Sequence, residues 1–124
     1  MKCEKPVLVV EDDKELCESI LRTLKRAGYR PCGAHSIQDA TSMVNKTKFA
    51  CILVDISLGN ESGADLIDYI RLICYTENIR TPIVVISGHL DRAVVERIKG
   101  KVQGALVKPF DIAEVLKAVE KQAG

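Results

Sequence analysis

Five short apolar runs, each followed by a segment of helical periodicity, constrain this chain more than any other feature. The first run is Val7–Val10, and after it Leu16, Ile20, Leu24 and Ala27 fall on one helix face before Gly28 stops the helix. A weaker run, Arg30–His35, contains Pro31, which a sheet tolerates at its edge and hardly at its centre. Ser36 with Asp39 opens a second helix, continued by Ile37, Ala40, Met43 and Val44. The third run, Ala50–Val54, ends at Asp55, and a loop holding Gly59 and Gly63 leads to a helix with Leu66, Ile67, Ile70 and Ile73 inward. The fourth run, Ile83–Ile86, is opened by Pro82 and closed by Ser87-Gly88, and a shorter helix from Asp91 carries Val94, Val95 and Ile98. The fifth is Ala105–Val107, followed by Lys108-Pro109. Asp111 and Glu114 open a last helix with Ile112, Val115, Leu116 and Val119 inward. Five such units predict an α/β protein of three layers, with a five-stranded parallel sheet covered by helices on both faces.

Composition narrows the class. A chain of 124 residues predicts a single domain spanning 1–124, with no effector domain attached. It is 47% hydrophobic, enough for a core at this size. A net charge of +1, with acids and bases intermixed, argues against a nucleic-acid or membrane-surface module. The first apolar run is short and stops at acids, unlike a signal peptide, and no stretch is long enough to cross a bilayer. The cysteines, Cys3, Cys17, Cys32, Cys51 and Cys74, are odd in number and form no Cys-x-x-Cys pair. They read as reduced thiols, mostly in the core, of a cytoplasmic protein.

The polar residues that end the runs carry the chemistry. Run one ends in Glu11-Asp12-Asp13, run three in Asp55, run four in Ser87 and run five in Lys108. In a parallel sheet these ends share one edge, where open α/β sheets bind ligands at the point of reversed strand order. For five strands the common order 2-1-3-4-5 sets the ends of strands one and three side by side. Three or four carboxylates in one crevice repel one another and raise each other's pKa. A hard divalent cation relieves this, and Mg²⁺ characteristically takes one or two carboxylates together with waters and phosphate oxygens. A metal, a lysine and a hydroxyl beside an aspartate suit phosphoryl chemistry, and an aspartate can itself be the nucleophile.

The stretches LVVEDD, LVDISLGNESG, VVISG and LVKPF, in this order and on these elements, resemble the receiver domain of two-component response regulators, a flavodoxin-like fold. The resemblance covers essentially the whole chain. It implies that Asp55 is the phosphoacceptor, Asp12 the direct ligand of Mg²⁺ (or of Mn²⁺ in its place) and Glu11 its partner acting through water. Ser57 would lend the metal its backbone carbonyl, Ser87 would meet the phosphoryl group, and Lys108 would pair with it. Asp13 falls outside the acidic pair and is expected to cap the first helix. The resemblance also implies a cis Lys108-Pro109 bond, and it places Ser57 and His89 where they tune the lifetime of the phosphoryl group. His35 reads as a polar loop residue.

Two positions depart from the family pattern. Ala105 stands where an aromatic switch residue is usual, and Gly59 where proline is frequent, which would loosen the loop after Asp55. The function implied is a phosphorelay switch rather than a conventional enzyme. Asp55 would take a phosphoryl group from a sensor histidine kinase or a histidine phosphotransfer protein. The signal would pass by binding a downstream protein target or by onward transfer, with no nucleic acid or membrane involved. A receiver-like scaffold that is never phosphorylated is the alternative, supported by Ala105 alone. An aspartate phosphohydrolase is disfavoured, because Ser57 stands where its second aspartate is expected.

Overall fold

The computed structural model describes residues 4–73 and 77–124, with Ile73 described in its backbone alone; Cys3, Cys74 and the side chain of Ile73 lie outside the described set. Five parallel strands build the sheet: β1 (Pro6–Val10), β2 (Arg30–Ala34), β3 (Cys51–Asp55), β4 (Ile83–Ser87) and β5 (Gly104–Val107), in the order 2-1-3-4-5. The three inner strands are continuous apolar runs rich in Val and Ile, as strands covered on both faces must be. The edge strands are less apolar, and Pro31 lies on one of them, β2.

Helices α1 (Lys14–Arg26) and α5 (Ile112–Ala123) cover one face. On the other lie α2 (Ile37–Lys46), α3 (Gly63–Asp68) and α4 (Arg92–Ile98). One core layer holds Val7, Val9, Cys17, Ile20, Leu24, Cys51, Leu53, Val115 and Val119, so the buried cysteines are free thiols within it. The other holds Leu8, Val10, Ile52, Val54, Leu66, Ile67, Ile70 and Ile98. The helix starts are set by side chains. Asp13 Oδ1 accepts the Leu16 N–H (3.1 Å), Ser36 Oγ the Asp39 N–H (3.2 Å) and Asp91 Oδ1 the Val94 N–H (2.9 Å). Gly28, at φ +98°, turns the chain out of α1.

Four local features differ from the sequence expectation. The third helix keeps α geometry only to Asp68 and continues as a wider π turn, Tyr69–Ile73. There the Arg71 guanidinium donates to the carbonyls of Lys101 (2.9 Å), Ile79 (2.9 Å) and Thr81 (2.7 Å), so backbone oxygens rather than a carboxylate hold it. Val95 is 43% exposed, because Val94 and Ile98, one turn apart, face the core instead. The loop after Asp55 is not loose. Ser57–Leu58 pairs antiparallel with Glu61–Ser62 across a two-residue turn, and Gly59 at φ +61° supplies the positive φ that a hairpin turn of this length demands and that proline cannot adopt.

Gly63 is the fourth. It opens α3 instead of lying in the loop, and its N–H donates to the Ile56 carbonyl (2.7 Å). A Cβ at Gly63 would fall 2.2 Å from the Asp55 carbonyl oxygen and 2.8 Å from Val54 Cγ1. The start of α3 therefore rests directly on the end of β3, an approach that only glycine permits. Because the obstacle is backbone, relaxation must move the strand end or the helix. Gly63→Ala is expected to lose about 2 kcal/mol or more of stability in urea denaturation; a loss near zero would show that the contact yields easily.

Candidate functional site

The site forms where β1, β3 and β5 end. The β1–β2 ladder runs one step past Val10, because the Glu11 N–H donates to the Ala34 carbonyl (2.9 Å). This turns the Glu11 side chain into the sheet edge, where it is fully buried. Asp55 is the last residue of β3, in register with Ile86 of β4, and is also buried. Lys108 follows β5, its N–H donating to the Ser87 carbonyl (2.7 Å), and the bond from Lys108 to Pro109 is cis. Its ammonium donates to Asp55 Oδ2 (2.7 Å) and to Glu11 Oε1 (2.9 Å). The Ser57 N–H donates to Asp55 Oδ1 (2.8 Å), so both Asp55 oxygens are held.

Asp12 completes the group. Its carboxylate is exposed, and one oxygen from each of Glu11, Asp12 and Asp55 lies within 4.8 Å of the others. Three hard oxygen donors converging from two strand ends suit a cation such as Mg²⁺ or Mn²⁺, and do not suit a soft metal. Sequence reasoning placed all of Glu11, Asp12, Asp55 and Lys108 on this edge, and the structure brings them together.

Ser87 and His89 are joined to each other by hydrogen bonds in the loop after β4. Ser87 ends β4 at the right edge and is buried. Its hydroxyl, however, donates to the His89 carbonyl (2.7 Å) and accepts the His89 N–H (3.1 Å). The loop after β4 therefore holds the hydroxyl, while the His89 ring is exposed. Ala105 lies exposed on β5, so no aromatic side chain projects from that position. Three contacts escaped the sequence reading. Glu11 is bound to Lys108 across 97 residues, Gly63 seats the end of β3, and His35 Nδ1 lies 2.9 Å from the Glu11 carbonyl oxygen. Each depends on how strands pair or on how closely α3 approaches β3, which no local sequence pattern states.

The family model for the response regulator receiver domain matches residues 7–120. The chain belongs to that family. This receiver is 29% identical over 112 residues to the transcriptional regulatory protein PmrA of Pectobacterium parmentieri, covering 88% of this chain and 48% of that protein. It is likewise 29% identical over 119 residues to the response regulator FleR of Pseudomonas aeruginosa, covering 94% of this chain and 24% of that protein. The receiver thus spans about half, or less, of the curated relatives it matches. Among solved structures, chemotaxis protein CheY4 of Vibrio cholerae superposes with a TM-score of 0.86 at 24% identity, covering 97% of this chain and 99% of that one, and so supports the fold. A response regulator of Burkholderia pseudomallei, solved with a phosphorylated aspartic acid, a calcium ion and citrate, superposes with a TM-score of 0.80 at 29% identity, covering 97% of this chain and 69% of that one. Among the described residues no helix is long and apolar enough to cross a membrane.

Burial sets the electrostatics of the receiver site. Desolvation, with the Asp55 carboxylate alongside, pushes the Glu11 carboxyl up to about 7 despite the bond from Lys108. Burial pulls the Lys108 ammonium down, but its bonds to Asp55 and Glu11 outweigh this and hold it above its ordinary value. The folded protein keeps the Glu11 proton to about pH 7, whereas the unfolded chain releases it near 4.5. The folded state binds more protons in that window, so its stability falls as pH rises from about 4.5 to about 7. The Lys108 shift acts only in the alkaline range, since its contribution is complete below its unfolded value. Denaturation in the presence of a chelator should show stability declining across that window in the parent, with the decline much reduced in Glu11→Gln. Equal slopes in the two proteins would remove Glu11 as the cause.

Proposed function

We propose that this receiver is a phosphorelay switch in which Asp55 accepts a phosphoryl group from the phosphohistidine of a sensor histidine kinase or a histidine phosphotransfer protein. One observation carries the reading: a buried aspartate whose carboxylate is gripped by a lysine, with two further carboxylates within reach of a shared cation. An Asp55 oxygen bonds to phosphorus as the bond from phosphorus to the donor imidazole nitrogen breaks, the electron pair leaving with that nitrogen. The product is an acyl phosphate, and water later attacks the phosphorus to restore the carboxylate. The receiver thus acts on itself and is not a conventional enzyme.

The residues have separate tasks. The Ser57 N–H orients the Asp55 carboxylate. The Lys108 ammonium, already on Asp55 Oδ2, is placed to transfer its hydrogen bond to an incoming phosphoryl oxygen. Asp12, Asp55, the Ser57 carbonyl and, through water, Glu11 would hold Mg²⁺ or Mn²⁺. When bound, the cation offsets the negative charge of the phosphoryl oxygens. Ser87 would serve as a further donor once its hydroxyl leaves the His89 backbone. That exchange links phosphorylation to the loop before α4, and Ala105 requires this loop, not an aromatic on β5, to carry the change. His89, beside the same hydroxyl, would influence the lifetime of the acyl phosphate together with Ser57.

Residues 1–124 are read as a single receiver, acting in the cytoplasm. Its output passes to a downstream protein, to a second phosphotransfer histidine, or to a domain joined to it as in its longer relatives. Incubation with Mg²⁺ and acetyl phosphate, followed by intact-protein mass spectrometry, should show one phosphoryl group added to the parent and none to Asp55→Asn. Lys108→Ala is expected to slow the addition about a hundredfold. A parent that binds Mg²⁺ and stays unmodified, or an Asp55→Asn protein that gains the same mass, would overturn the proposal.

A further inference from the structure

The Asp12 carboxylate has no hydrogen-bond partner among the described residues, so its position over Asp55 depends on the backbone that carries it. The peptide leading into Asp12 is that of Glu11. Its N–H is fixed by the Ala34 carbonyl, the last step of the β1–β2 ladder. Its carbonyl lies beyond the ladder and has no strand partner to orient it. The next residue along the β2 side, His35, supplies one: the His35 ring nitrogen Nδ1 lies 2.9 Å from the Glu11 carbonyl oxygen. A carbonyl can only accept, so Nδ1 carries the hydrogen in this contact. Both ends of the Glu11 residue are thereby anchored to the end of β2.

The same connection between β2 and α2 makes a second attachment. The Ile37 N–H donates to Glu61 Oε1 (3.2 Å), on the hairpin that follows Asp55. The turn of that hairpin borders Asp12, since a Cβ at Gly59 would stand 3.9 Å from Asp12 Oδ2. A loop with no carboxylate in the cluster therefore touches both the peptide that leads into Asp12 and the hairpin that borders the Asp12 side chain.

We propose that His35 is a positioning residue for cation binding, its ring fixing the Glu11–Asp12 peptide so that the Asp12 carboxylate stays within reach of Asp55. This rests on the reading of the acidic cluster as a Mg²⁺ site. Groups that orient metal ligands from outside the coordination sphere commonly govern affinity as strongly as some ligands do. His35 is exposed and outside the core, so replacing it leaves the packing intact.

The test compares His35→Ala, which removes the donor, with His35→Asn, whose side-chain N–H₂ can occupy the place of Nδ1. Isothermal titration with Mg²⁺ should show affinity about tenfold weaker in His35→Ala and largely restored in His35→Asn. In the metal-free protein the carbonyl ¹³C resonance of Glu11 should shift in the alanine variant and stay near the parent position in the asparagine variant. At saturating Mg²⁺, phosphoryl uptake from acetyl phosphate should equal that of the parent, because His35 touches no reacting atom. Parent-like Mg²⁺ affinity in His35→Ala, or an asparagine variant as weak as the alanine one, would overturn the role of His35 while leaving the receiver reading intact. A parent that binds no Mg²⁺ would overturn both.

Discussion

One lysine makes the rest of this molecule possible. Glu11 and Asp55 are carboxylates withdrawn from water at the edge of a sheet, a placement that is costly for each alone and worse for the pair. The Lys108 ammonium reaches both, at 2.9 and 2.7 Å, and binds the ends of β1, β3 and β5 into one polar centre. It does not fully neutralise them. Two acids face one base, and burial first, with the neighbouring Asp55 carboxylate second, raises the pKa of Glu11 despite the lysine. Asp12 adds a further negative charge at the mouth of the crevice. The carboxylates of Glu11, Asp12 and Asp55 thus form a hard-oxygen donor set that could hold a cation.

The opposite edge of the sheet shows how the same problem is met where no ligand is called for. Asn78 is buried there, and its amide is saturated by protein. Its nitrogen donates to the carbonyls of Val44 (2.8 Å) and Thr47 (2.7 Å), and its oxygen accepts from the Phe49 N–H (2.8 Å) and the Thr81 hydroxyl (2.9 Å). Arg71 likewise spreads its donors over fixed backbone carbonyls. These networks are closed and hold the strands in place. The network around Asp55 is left open at Asp12, while the Ser87 hydroxyl beside it is held by the His89 backbone.

α4 illustrates how the open edge is connected to the rest. Behind Ser87 the chain passes through His89 and Asp91 into this short helix. At its far end Arg97 pairs with Asp65 and Asp68, and Lys101 with Asp68 (2.7 Å), tying it to α3. Such partly exposed pairs contribute little stability each. They nevertheless fix one end of α4 while the other end follows a loop whose hydrogen bonds involve the Ser87 hydroxyl. Under the proposed switch, with Ala105 on β5, this loop and helix would be the elements that register a change at Asp55.

Much of this was legible in the sequence, for a local reason. Runs such as VLVV, CILV and IVVI are apolar throughout, which states both that they are strands and that both their faces are covered. Asp13, Ser36 and Asp91 mark helix starts by chemistry acting over three residues. Acids, serine and lysine at the run ends identified the edge and its members. What only the tertiary structure decided involves residues far apart in the chain. Lys108 lies 97 positions from Glu11 and 53 from Asp55, and no local pattern states that its ammonium is shared between them. Gly63 looks like any loop glycine until β3 passes 2.2 Å from its missing Cβ. His35 looks like a solvated loop histidine until strand pairing brings the Glu11 carbonyl to its ring. Sequence periodicity determines which face of an element is buried. Which polar atoms then meet is decided by strand register and by the close approach of backbones, quantities that exist only once the chain has folded.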